Sequence, residues 1–213
     1  MSLTLAILTS DPNLLRCQVD LLKARLHAGG PFTPGSMGLG YVEADNILLR
    51  KKPAGGEPAL SELVADVGSE VLFLHAGPLP SRTFADEDAM PLRFRRWMFM
   101  HEAPLGSTSG SYARLWDSLP DFLRRQAKGT SASELLFLSF VRRLRDEGRC
   151  DDFDVPPSLV GRLLAETIGE VEAYEREAGK VGNLGVYVTN GRVMAATRRN
   201  SGPLHYALLE GIA

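Results

Sequence analysis

Cysteine is scarce. Cys17 and Cys150 are the whole complement of the 213 residues, lie far apart and form no C-x-x-C pair. No disulfide framework is expected, and a reducing, cytoplasmic setting with free thiols is the expectation. Histidine is nearly as rare, and His27, His75, His101 and His205 show no metal-ligand spacing. His101-Glu102 opens like H-E-x-x-H, but the second histidine is missing and Pro104 would break the helix that motif needs. Gly38-Leu39-Gly40 lacks the third glycine of a dinucleotide fingerprint. Neither a metal nor a cofactor is expected.

Long apolar runs are missing as well. Leu135 to Leu138, resuming at Phe140, falls far short of the roughly 20 residues needed to span a bilayer. Neither sign of charge is in excess: 24 Lys and Arg against 26 Asp and Glu leave a formal net charge of −2. No basic field exists to draw nucleic acid or anionic lipid. The first residues, MSLTLAILTSDP, carry no basic run and no small-residue cleavage site, so no secretory leader is expected.

What remains is an ordinary globular mix, 44% hydrophobic and 23% charged, with a length that suits one domain over 1–213. Leu3, Leu5 and Ile7 alternate as in a half-buried strand. Ser10-Asp11-Pro12 starts a helix with the stripe Leu14, Leu15, Val19, Leu22 and Leu26, ended by Gly29-Gly30. Strands are expected at 38–42, 47–50 and 70–75, with a turn at Asp45-Asn46 and a short helix near 60–67. The stretch 76–88 reads as irregular and 93–100 as one strand. Helices follow at 111–119, 133–146 and 158–178, the second with Ser131 and Glu134 spaced as a capping box. Strands 184–189 and 193–198 flank an Asn190-Gly191 turn. Strands at both ends with helices between them predict an α+β domain with antiparallel sheets.

Five stretches carry a resemblance: the residues after Met1, VLFLHAGPLPS at 71–81, RFRRWMFMHEAPL at 93–105, GTSASELLFLSF at 129–140, and VGNLGVYVTNGRVMAATRR at 181–199. Together they resemble the class II glutamine amidotransferases, and within them the small group related to ergothioneine-pathway amidohydrolases. That resemblance implies an N-terminal-nucleophile hydrolase with a four-layer αββα sandwich. It further implies a cysteine nucleophile exposed as residue one once Met1 is removed, its α-amine serving as base. An arginine just after the central-strand histidine would grip the substrate carboxylate. An Asn-Gly pair after a second histidine would supply two oxyanion donors, and an aspartate in a Thr-Asp-Ser-Glu segment would hold the substrate ammonium.

This sequence departs at each position. Ser2 stands at the nucleophile, Gly77 at the arginine, Glu102 and Ala103 at the oxyanion pair, and Ala132 at the aspartate; His75 and His101 are retained. Serine for cysteine is survivable, although cysteine starts near pKa 8.5 and serine far above it. Glu102 weighs more: a carboxylate accepts hydrogen bonds where donors are needed, and losing one oxyanion donor costs about 10²–10³ in rate. The missing arginine and aspartate each remove a charge-assisted contact of about 1.5–3 kcal/mol, together on the order of 10²–10⁴ in glutamine affinity.

Two functional readings follow. In the first, the scaffold persists as a noncatalytic binding or regulatory homologue with a small-molecule ligand or a protein partner. In the second, Ser2 works as the nucleophile on an amide other than glutamine. A loop rearrangement that returned Arg82, Asp86 or Asp88 to the pocket would restore the lost substrate charges. The run Arg93, Arg95, Arg96 beside Trp97 suits an anion or partner site, but such a run is more often an exposed strand face or loop. Arg142, Arg143 and Arg145 are expected to pair with Asp146, Glu147 and solvent. The resemblance also allows a homodimer, which no feature of the sequence specifies.

Overall fold

The computed structural model of the protein describes residues 2–26, 34–54, 60–78, 84–102, 110–129, 131–179, 183–199 and 204–208. One sheet takes β1 (Leu3–Leu8), β2 (Ser36–Glu43), β3 (Asn46–Pro53) and β4 (Val71–Gly77) in the order β1-β4-β2-β3, with every pairing antiparallel. The other takes β5 (Leu92–Phe94), β6 (Trp97–Glu102), β7 (Leu184–Thr189) and β8 (Met194–Arg199) in chain order, again antiparallel. The helices are α1 (Leu15–Leu26), α2 (Leu60–Leu63), α3 (Gly110–Ser118), α4 (Asp121–Arg124), α5 (Ala132–Asp146) and α6 (Pro157–Glu177).

Strand alternation divides the apolar residues among three layers of contact. On the outer face of the first sheet, Leu39, Tyr41, Leu72 and Leu74 meet Leu15 and Val19 of α1. Between the sheets, Val71 and Phe73 of β4 and Ile47 of β3 meet Met98, Met100 and Tyr187. On the outer face of the second sheet, Trp97, Phe99 and Val186 pack on α3, α5 and α6. Phe99 stacks on Phe137 at 4.9 Å between centroids, and Trp97 meets Phe140 edge-on at 5.4 Å while its indole N–H donates to the Cys150 carbonyl. Each such aromatic or aliphatic side chain contributes about 1.5–3 kcal/mol by leaving water. The result is an α+β fold in four layers, αββα, as the resemblance implied.

Three local expectations are corrected. The single strand foreseen at 93–100 is a hairpin, β5 and β6, whose turn is Arg95-Arg96. Arg95 adopts φ 50, a left-handed conformation costing a non-glycine residue about 1–2 kcal/mol. Its guanidinium pairs with Asp151, and Arg96 stacks over Phe153, tertiary contacts that offset that strain. Leu14 falls out of the α1 stripe because the chain enters the helix through a 3-10 turn at Pro12–Leu14, and it is 40% exposed. The capping box is only half formed. Ser131 Oγ accepts the Glu134 N–H, but the Glu134 carboxylate turns to the N–H groups of Lys128 and Gly129. The Ser131 N–H goes instead to Asp88.

Candidate functional site

Period-2 alternation decides which side chains reach the space between the sheets. On β1, Leu3, Leu5 and Ile7 go outward, so Thr4 and Ala6 face inward with Ser2 continuing the same row. On β4, Phe73, His75 and Gly77 face inward, and β2 adds Ser36 opposite Gly77 and Gly38 opposite His75. One end of the inner face is thus built from small or polar residues: Ser2, Thr4, Ser36, Gly38, His75 and Gly77.

His75 dominates this end. It is 8% exposed, and burial pushes its imidazole down to a pKa of about 4, so the ring is neutral at physiological pH. The ring leans over Gly77: a Cβ added to Gly77 would lie 2.6 Å from His75 Cε1, 3.2 Å from Nε2 and 3.4 Å from Ser2 Cβ. The imidazole therefore occupies the space from which a side chain at position 77 would extend. Neither Nδ1 of His75 nor Oγ1 of Thr4, its register partner across the sheet, has a hydrogen-bond partner among the described residues.

Glu102 ends β6 on the inner face of the second sheet, level with Gly185 and Arg198. Its carboxylate lies 3.5 Å from an Arg198 nitrogen and accepts the Tyr187 hydroxyl at 3.3 Å. Burial, and then the Glu102 charge, push Tyr187 up to about 12, which keeps the phenol a neutral donor. Glu102 is thus a paired acceptor. It retains no donor for a developing oxyanion, although Arg198 tempers its negative charge.

His101 lies on the opposite face of β6, away from the inner space. Its Nδ1 is 2.9 Å from Ser133 Oγ, its Nε2 has no partner among the described residues, and burial followed by neighbouring His75 depresses its pKa to about 3. β4 and β6 face each other across the two sheets. Ala132 is 5% exposed and packs its methyl group into the core beneath α5. Ala103 and Arg82 lie outside the described residues. Asp88 is 7% exposed and holds the turn before α5 by accepting the Ser131 N–H, so it is committed to structure. Asp86 is exposed, and its carbonyl receives Lys51 Nζ at 2.7 Å.

The sequence reading grouped Ser2, His75, Gly77, His101, Glu102, Ala103 and Ala132. The structure puts Ser2, His75 and Gly77 on the inner face of the first sheet and Glu102 on that of the second. His101, expected to point to the cleft, and Ala132 lie instead on the α5 side, because strand alternation turns His101 outward. The sequence reading missed Thr4, whose signal was its alternation with Leu3 and Leu5. Tyr187 and Arg198, the partners of Glu102, gave no signal, because their pairing depends on the β6-β7-β8 register. The arginine pair Arg142 and Arg143 is a structural clamp between helices. It binds Glu170 and Glu166 of α6 rather than Asp146 or Glu147.

No protein-family model matches the sequence, and no curated protein does. Among solved structures, a glutamine aminotransferase class-II domain protein from Silicibacter pomeroyi matches with a TM-score of 0.54 and 20% identity, over 79% of this chain and 71% of that one. The structure described as the allosteric regulatory enzyme of purine biosynthesis matches with a TM-score of 0.50 and 12% identity, over 89% of this chain and 35% of that one. The glutamine phosphoribosylpyrophosphate amidotransferase of B. subtilis matches at 11% identity and a TM-score of 0.47 over a similar share. This chain corresponds to about a third of each of those two longer proteins. The fold is that of the class II glutamine amidotransferases. No described helix is long and apolar enough to cross a membrane.

Proposed function

We propose that the protein is a noncatalytic, binding or regulatory relative of the class II glutamine amidotransferases. The observation that carries this reading is the His75 ring lying over Gly77. A glutamine site needs a cation there to hold the substrate carboxylate; Gly77 supplies none, and an imidazole that burial keeps neutral lies where a side chain at 77 would begin. Glu102, tied to Arg198 and Tyr187, adds an acceptor where an oxyanion needs donors. Ala132 supplies no carboxylate for the substrate ammonium. The reading treats residues 1–213 as one domain and needs no cofactor. Incubation of the purified protein with glutamine, followed by measurement of glutamate and ammonia, is expected to give no turnover above buffer. Glutamine hydrolysis with kcat in the ordinary enzyme range of about 1–10³ s⁻¹ would overturn it.

A second reading, Ser2-dependent hydrolysis of another amide, draws on the placement of Ser2 beside Gly77 and the buried His75. It requires a free Ser2 α-amine, so an intact mass that retains Met1 excludes it.

A further inference from the structure

A cavity of about 870 Å³ opens between the edge strands β3 and β5 and is roofed by α4 and α5. Its size is that of a small-molecule pocket. It lies apart from the Ser2 site: neither Ser2, His75, Gly77 nor Glu102 lines it. The chain between them packs tightly, with the Met90 carbonyl oxygen 1.8 Å from where a Cβ on Gly38 would sit. The arginine run noted in the sequence supplies part of the cavity wall, since Arg93 and Arg95 both line it.

The wall combines two accessible aromatic rings with one more cation than carboxylate. Phe94 and Phe122 are the partly exposed rings, while Phe137, Leu138 and Val141 are buried in the core beside them. Five cationic side chains line the cavity against four carboxylates. Two of those carboxylates are already engaged: Glu134 accepts the N–H groups of Lys128 and Gly129, and Asp151 pairs with Arg95. Asp86 and Glu87 are exposed at the mouth. Three of the cations are held by groups that do not neutralise them. Lys51 Nζ donates to the Asp86 carbonyl and Arg93 Nη1 to the Ile47 carbonyl at 2.6 Å, while Arg145 lies 4.1 Å over the Phe122 ring. Lys51 faces no carboxylate at ion-pair distance among the described residues; burial lowers its pKa, and the more distant Asp86, Glu87, Glu134 and Asp88 oppose that shift.

We propose that this cavity is a binding site for a flat, apolar acid, an aromatic carboxylate whose ring lies against Phe94 and Phe122 and whose carboxylate meets Lys51 and Arg93. This site stands independently of whether Ser2 is active. The test is calorimetric titration of the full chain with 1-naphthoate and with its neutral isostere 1-naphthalenemethanol. The unaltered protein is expected to bind 1-naphthoate one to one and at least about tenfold more tightly than the alcohol. Lys51→Met and Arg93→Gln should each weaken naphthoate by about tenfold to a hundredfold and leave the alcohol unchanged. Equal affinity for acid and alcohol, no naphthoate binding at about 1 mM, or folded variants that bind like the parent would each overturn the proposal. The acid-versus-alcohol comparison needs no variant and decides the matter even if a substitution unfolds the chain.

Discussion

Gly77→Ala tests the central structural claim with one methyl group. Gly77 lies outside the left-handed region, so alanine meets no backbone strain there and its whole effect is packing. The added Cβ would come within 2.6 Å of His75 Cε1, about an ångström inside ordinary contact, and the ring is 8% exposed with little room to retreat. Overpacking of this kind costs about 1–3 kcal/mol. If the imidazole is the obstacle, removing it removes the penalty. Gly77→Ala in a His75→Ala background should cost less than about 0.5 kcal/mol, a coupling energy close to the single-mutant penalty. Urea denaturation of the four proteins, followed by circular dichroism, gives the cycle. A Gly77→Ala change that is neutral in the parent, or equally costly in both backgrounds, would refute the placement of His75 and with it the main support for a noncatalytic site.

Other consequences are open to the same kind of measurement. The unfolded chain takes up protons on its histidines near pH 6.5, while the folded chain keeps His75 and His101 neutral down to about 4 and 3. Stability should therefore fall as pH drops below about 6.5, by up to ~1.4 kcal/mol per pH unit for each ring, and His75→Gln/His101→Gln should flatten the slope between pH 7 and 5; an unchanged slope refutes it. Glu102→Gln keeps the acceptor for Tyr187 but breaks the largely buried pair with Arg198, for an expected loss of about 1–2 kcal/mol, with no glutamine hydrolysis gained. Glu134→Ala frees the N–H groups of Lys128 and Gly129 and should lower stability by about 2–3 kcal/mol in the same urea assay, whereas Glu134→Gln should recover part of it.

The alternation of Leu3, Leu5 and Ile7, the apolar run at 71–74 and the helical stripes were enough to place most elements, because each carries its periodicity in its own residues. The ordered stretches of resemblance supplied the layers, and they picked out Ser2, Gly77, Glu102 and Ala132 by position. The hairpin at Arg95-Arg96 was hidden, since its left-handed turn contains neither glycine nor asparagine and depends on Asp151 and Phe153 far along the chain. The resemblance implied an arginine where this sequence has Gly77. Only the packed sheets showed that a buried, neutral histidine leans over Gly77, because that depends on how the ring of His75 is held between the two sheets. The same holds for Glu102, whose character as a paired acceptor depends on strand register, and for the cavity beside Arg93, which exists only where two sheet edges meet.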